Sequence, residues 1–233
     1  MRLVLRTVVA VLVALFAVQA RAQMTGSATL LSDYRFRGAS LSDDRPAAQL
    51  AFDYDWAASG LYAGGMMSSA RLDSRHAVQA LIYAGYAHRV RPDFSWETGL
   101  RYTRFSGHEA YAYAEAYAGF AFRQLVGRLY YAPSYFHAGY PAWYAELNDS
   151  HALSGKWYAF AHAGYLRRGG DVMEYHASRF RSDFRVGIGL DLAPYNVQLS
   201  WTTTRGASDA VFGYPSAAGT TRNAWVLSIS YAW

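Results

Sequence analysis

The chain has 233 residues, a formal charge of +5, 52% hydrophobic and 17% aromatic residues, and no cysteine. This excludes a disulfide framework, thiol chemistry and a lipoprotein cysteine, and so many Tyr and Trp residues exclude a disordered chain. It gives no ground for a nucleic-acid partner, because removing Arg2, Arg6 and Arg21 with the leader described next takes +5 to +2.

The N-terminus reads as a secretory signal. Arg2 and Arg6 precede an apolar run from Val8 to Val18, and Ala20-Arg21-Ala22 follows it. The run is short for a membrane helix, which needs about 20 apolar residues. Cleavage is expected after Ala22, which leaves 23–233 as the mature domain. No later segment is a continuous apolar stretch of helix-spanning length.

From Gln23 onward the pattern has period two, the mark of strands whose side chains alternate between faces. In chain order the expected strands are 26–38, 46–57, 60–70, 77–90, 94–105, 110–123, 125–136, 141–149, 156–167, 179–192, 195–205 and 222–233. In the first, Tyr34 and Phe36 oppose Asp33, Arg35 and Arg37. In the second, Leu50, Phe52 and Tyr54 oppose Gln49, Asp53 and Asp55. Strands 60–70 and 77–90 are apolar on both parities. In 110–123 the alanines and Phe120 oppose Tyr113, Glu115 and Tyr117, and in 179–192 Phe184, Val186 and Ile188 oppose Asp183, Arg185 and Gly187. Each segment is close to the roughly 9–11 residues that a tilted strand needs to cross a bilayer.

The connections tend to alternate in length. "GASLSDDRP", "RLDSRH", "GDVMEYHAS" and "GASDAVFGYPSAAGTT" are long and polar, whereas "AASG", "RPD" and "AP" are tight. A transmembrane barrel has this asymmetry, with short periplasmic turns and longer external loops. The expectation is an all-β, antiparallel, up-and-down transmembrane β-barrel of about 12 strands. The competing reading is a lipocalin-like soluble barrel with its apolar parity inward. Aromatics near expected strand ends, among them Tyr34, Phe36, Trp56, Trp96, Phe120, Trp201 and Trp225, read as interfacial girdles.

The chain ends on "WVLSISYAW", an apolar alternation finishing at Tyr231 and Trp233. This resembles the C-terminal signature that outer-membrane barrels present to the barrel-assembly machinery. Ser32-Asp33-Tyr34-Arg35-Phe36-Arg37-Gly38, then Ser40, Pro46-Ala47, Gly60, Tyr62 and Gly64, resembles the opening of the TorF-type porins, also called the Gcw-chp family of bacterial outer-membrane proteins. "YYAPSYF" at Tyr130–Phe136 and Glu115 in a Tyr-rich strand add to the likeness, while Ala39 and "LSDDR" depart from the usual loop after the glycine. The resemblance implies an outer-membrane barrel with a pore. It implies no substrate and no catalytic residue.

The polar parity is the candidate lumen. Its pore-lining candidates are Asp33, Arg35, Arg37, Asp53, Asp55, Glu97, Arg101, Glu115, Arg128, Asp183 and Arg185, joined by Glu146 and Asp191. Charges of both signs could select charged or dipolar solutes, or could pair and fill the barrel. Arg35 and Arg37 would be an anion-contacting rung or would neutralise Asp53 and Asp55. Arginines outnumber lysines by 21 to one, which suits bidentate pairing with acids.

His76, His108, His137 and His176 fall in expected external loops near Asp43, Asp73, Glu109 and Glu174, but no close ligand spacing supports a metal. Ser106-Gly107-His108-Glu109 has the residue types of a rim hydrolase without a nucleophile motif. The reading is therefore a non-catalytic outer-membrane channel without cofactor or metal. Its partners are outer-membrane lipids, the assembly machinery and small hydrophilic solutes. A closed barrel with a structural or surface role is the alternative, and a rim-located hydrolase comes third.

Overall fold

An alternating segment becomes a stable membrane strand when its apolar parity meets lipid and its backbone groups are paired on both sides, which only a closed sheet achieves. The computed structural model describes residues 23–56, 58–72, 74–108, 111–137, 139–170, 179–213 and 221–233. The signal segment 1–22 and Asp73, Glu109, Glu174 and His176 lie outside the described residues.

The strands are β1 Gln23–Leu31, β2 Arg35–Phe36, β3 Ala39–Ser40, β4 Ala47–Asp55, β5 Leu61–Leu72, β6 Arg75–Arg91 and β7 Phe94–Phe105. They continue with β8 Tyr113–Phe122, β9 Leu125–Ala132, β10 Ala142–Ser154, β11 Trp157–Arg168, β12 Phe180–Leu192, β13 Tyr195–Gly206 and β14 Asn223–Ala232. All except β2 and β3 form one closed antiparallel barrel of twelve strands, each paired with its neighbours in sequence, and β1 closes on β14. Gly26 and Trp233 exchange backbone hydrogen bonds of 3.1 Å at that seam. The Trp233 indole packs where a Cβ on Gly26 would sit, so glycine is what admits the terminal aromatic there.

The outward parity is apolar and exposed: Leu50, Phe52, Met67, Ile82, Leu100, Leu129, Leu147, Val186, Ile188, Leu199 and Ile229 all point away from the lumen. Aromatics ring both ends of this band. Trp56, Trp96, Phe122, Trp157, Tyr195, Tyr231 and Trp233 lie at the base, the end that holds Gln23 and Trp233. Tyr102, Trp143, Tyr165, Phe180 and Trp225 lie toward the opposite end, the mouth. Base connections are tight, with two residues each at 92–93, 123–124, 155–156 and 193–194.

Three expectations need correction. The first strand does not run to Gly38 but ends at Leu31. Residues 32–46 turn into the barrel and carry the β2–β3 hairpin, a two-stranded sheet separate from the barrel. Tyr34 and Phe36 therefore face the lumen interior and not lipid, and Asp33, Arg35 and Arg37 reach the lumen from a loop and not from a barrel strand. The cause is local. Arg37 and Gly38 both adopt positive φ, 50° and 78°, which reverses the chain. The Asp33 carboxylate then accepts hydrogen bonds from Ser40 Oγ at 2.6 Å and Arg35 Nε at 2.6 Å, tying the reversal shut.

Second, "RLDSRH" is not a long loop. Pairing continues through Arg71↔His76 and Leu72↔Arg75, so His76 sits in β6. Third, Asp55 closes β4 at the base rim and is exposed.

Candidate pore and its inward loop

The lumen of the mouth half is filled. Tyr34, Ala39 and Leu41 from the inward loop pack with Leu72, Phe105, Tyr113 and Leu166 of the wall and with Tyr135, Phe136, Tyr140 and Phe212 of other mouth loops. Leu41, Leu72, Phe105, Tyr135, Leu166 and Phe212 have no exposed surface. Tyr135 and Phe136 come from a 3-10 turn at Tyr135–His137, and Phe212 from a second at Asp209–Phe212. This is a soluble-type core inside a membrane barrel, and it takes Tyr34, Tyr135 and Phe136 from the expected strands 26–38 and 125–136, the second of which ends at Ala132.

Polar contacts anchor the loop within that core. Tyr34 Oη donates to Gln79 Oε1 at 2.5 Å, and burial pushes the Tyr34 phenol well above its usual range. Arg35 Nη1 donates to the Thr221 carbonyl at 2.8 Å, and Thr204 Oγ1 donates to the Gly38 carbonyl at 2.8 Å. Burial likewise pushes the Tyr140 phenol up to about 12, with Arg168 beside it pulling the other way.

Arg37 is the innermost anchor. Its Nη2 donates to Glu115 Oε1 at 2.7 Å. Its guanidinium carbon lies 4.3 Å from the Tyr144 ring centroid, 5.0 Å from Phe36, 5.2 Å from Tyr130 and 5.3 Å from Tyr135. Aromatic faces at that range attract a cation. The second oxygen of Glu115 is held by Arg101, whose Nε donates to Oε2 at 2.9 Å. One carboxylate therefore serves two guanidinium groups.

Below this level the lumen opens. One cavity of about 580 Å³ is bounded by the inward loop at Asp33–Gly38 and by Arg101, Arg128, Glu146, Asn148, His162, Asp183, Arg185 and Thr202. A second, of about 390 Å³, is lined by Asp53, Tyr62, Tyr83, Glu97, Arg101, Tyr117, Arg128 and Tyr130. Arg101 and Arg128 border both.

The expected lining residues divide into groups here. Glu97 accepts from Arg128 Nε at 2.5 Å and from Tyr62 Oη at 2.6 Å. Asp53 accepts from Tyr83 Oη. Asp183 is buried and accepts from Tyr144 Oη at 3.2 Å, with His162 Nε2 at 2.9 Å. Arg185 stacks 5.4 Å from the Phe160 centroid, forms no ion pair among the described residues and is exposed to the cavity. Asp33, Arg35, Arg37 and Glu115 are gathered in the inward loop and its seat. Asp191, like Asp55, is at the base rim, and Arg35 and Arg37 pair with Asp33, Asp44 and Glu115 and not with Asp53 or Asp55.

The sequence reading missed Gln79, Tyr130, Tyr135, Tyr144, Asn148 and His162 as lumen residues. Strand parity was a usable signal for Tyr130, Tyr144 and Asn148, which share the inward face with Arg128 and Glu146. Nothing local marked Tyr135, which reaches the lumen from a loop. Of the hydrolase candidates, Ser106 Oγ accepts the Val78 N–H at 2.8 Å and His108 stacks on Tyr111, centroids 5.9 Å apart. No group of three or more metal-ligating side chains is assembled among the described residues.

No curated protein matches the chain. Among solved structures it resembles the KdgM porin with TM-score 0.56 and 10% identity, over 90% of this chain and 99% of that one. The NanC porin gives TM-score 0.55 and 10% identity over the same shares. At such identity the likeness shows the fold, that of an outer-membrane porin barrel. Residues 18–233 match the family described as "Bacterial protein of unknown function (Gcw_chp)", and the chain belongs to that family.

Proposed function

We propose that the chain is an outer-membrane channel of the TorF porin type, passing small hydrophilic solutes passively through a narrow lumen. The mouth is then the external end and the base the periplasmic end, after export under the signal at 1–22. The observation that carries this reading is the pair of polar cavities, about 580 and 390 Å³, inside the barrel. A barrel that needed only to be filled would place apolar or fully paired side chains there. This one leaves Arg185 exposed to water.

Lipids would contact the apolar band, and the assembly machinery would read Tyr231 and Trp233. The reading needs no cofactor, catalysis or nucleic acid. The KdgM porin has been solved in complex with disordered oligogalacturonate, and the larger cavity here is bordered by five arginines against Asp33, Glu146 and Asp183, which supports passage of anionic solutes.

A second reading, a closed barrel with a structural or surface role, is favoured by the buried cluster at the mouth. Single-channel recording in planar bilayers separates them. Discrete conductance steps that turn more cation-selective in Arg185→Ala support the channel. Folded protein that never conducts supports the closed barrel.

A further inference from the structure

The inward loop is bound through a site that is complete without it. Arg101 and Glu115 face each other on adjacent strands, Arg101↔Glu115 in register, and already neutralise one another. Arg37 is the surplus cation on that carboxylate. At Glu115 its withdrawal would leave a carboxylate still paired with Arg101, whereas stripping a buried charge of its partner is what makes most buried ion pairs hard to break. The wall beneath the loop has a matching feature. Gln79 Nε2, Thr103 Oγ1 and Tyr113 Oη are buried and find no hydrogen-bond partner among the described residues. Such groups are costly while covered and are satisfied by water once uncovered. The seat therefore suits two states, one with the loop in place and one hydrated.

We propose that Tyr130, Tyr135, Tyr144 and Glu115 form a guanidinium-binding cage that Arg37 of the same chain occupies, and that this occupancy holds residues 32–46 as a displaceable plug. Three aromatic rings within 5.3 Å of the guanidinium carbon and one carboxylate at 2.7 Å recognise a flat, delocalised cation. A free guanidinium ion is the smallest ligand of that class. It competes with Arg37, and because the tether gives Arg37 a high effective concentration, the free ion must be abundant to trap the lifted loop. Solutes or peptides bearing an exposed guanidinium belong to the same class.

The test uses the full chain in detergent or liposomes and a thiol placed in the plug. The chain has no cysteine, so Leu41→Cys, at a fully buried position, gives a single reporter and reduces side-chain volume. Labelling by a membrane-impermeant maleimide follows the lifted population. We expect labelling about tenfold faster when Arg37→Ala is added, since labelling tracks the open fraction. In the Leu41→Cys protein, guanidinium chloride at about 0.1 M should speed labelling several-fold, by binding only the lifted state. Sodium chloride of equal ionic strength should not, and guanidinium should do nothing further once Arg37→Ala is present. Arg37→Lys should fall between the two, keeping the charge without the planar fork. Equal labelling with and without Arg37→Ala overturns the proposal, as does an identical response to both salts.

The inference rests on the channel reading only for its consequence. If Arg37→Ala speeds labelling yet no protein conducts in bilayers, the latch stands and the channel falls. If the Leu41→Cys protein conducts and labels equally with and without Arg37→Ala, the channel stands and the latch falls.

Discussion

At the base of the barrel the lumen wall carries tyrosine hydroxyls and paired charges around open space, with Asp53–Tyr83 and Glu97–Arg128–Tyr62 as its main contacts. At the mouth the same strands carry Phe105, Tyr113 and Leu166, and loops fold inward to bury them. The outward faces of the two halves are alike, apolar between aromatic rings. The difference is confined to the inside. Lipid imposes one rule along the whole outer face. Inside, nothing requires uniformity, and one end can be packed while the other is wet.

That contrast predicts unequal costs for equal kinds of change. The largest should come at the mouth. Glu115→Ala leaves Arg37 and Arg101 buried together without their carboxylate, and breaking a buried pair by removing one partner costs about 3–5 kcal/mol. Urea titration of the folded band on unheated gels would show it, and an unchanged midpoint would mean that the mouth is as hydrated as the base. Ile188→Arg places a charge on the lipid face and should cost roughly 2–4 kcal/mol near the midplane and less toward an interface, read as lost stability in liposomes. Stability equal to wild type would place that face away from lipid. At the base, Tyr83→Phe removes a donor from Asp53, which still borders an open cavity, so about 1 kcal/mol is expected in the same titration. A loss as large as that of Glu115→Ala would erase the distinction between the halves. Arg185→Ala should change stability by no more than about 0.5 kcal/mol, because among the described residues the exposed guanidinium makes a ring contact with Phe160 but no ion pair. Its effect should appear in reversal potentials, shifted toward cations.

Much of the barrel was legible because its signal is repeated. All twelve expected segments coincide with strands, and the largest boundary error is at the first. There the run Asp33-Tyr34-Arg35-Phe36-Arg37 alternates like the strand before it, yet it belongs to a loop. Alternation records a choice between two faces. A hairpin inside a polar, aromatic lumen makes that choice as readily as a strand between lipid and water. Parity by the same logic groups Asp53, Glu97, Arg101, Glu115, Arg128, Asp183 and Arg185 on the faces opposite the apolar ones. Their partners were not legible. Arg37 meets Glu115 across 78 residues and Tyr34 meets Gln79 across 45, and no local pattern links such positions.

By itself the sequence determined the all-β barrel of about twelve strands and, where one parity is clearly apolar, the face turned to lipid. These follow from period-two alternation and from the bilayer's demand that every backbone group in it be paired. Only the tertiary structure decided that the mouth is packed, that Arg37 reaches Glu115 through a ring of tyrosines, and that Arg185 stays in water. Those outcomes depend on which side chains meet across the lumen once the sheet closes, a matter of distance in space that spacing along the chain does not encode.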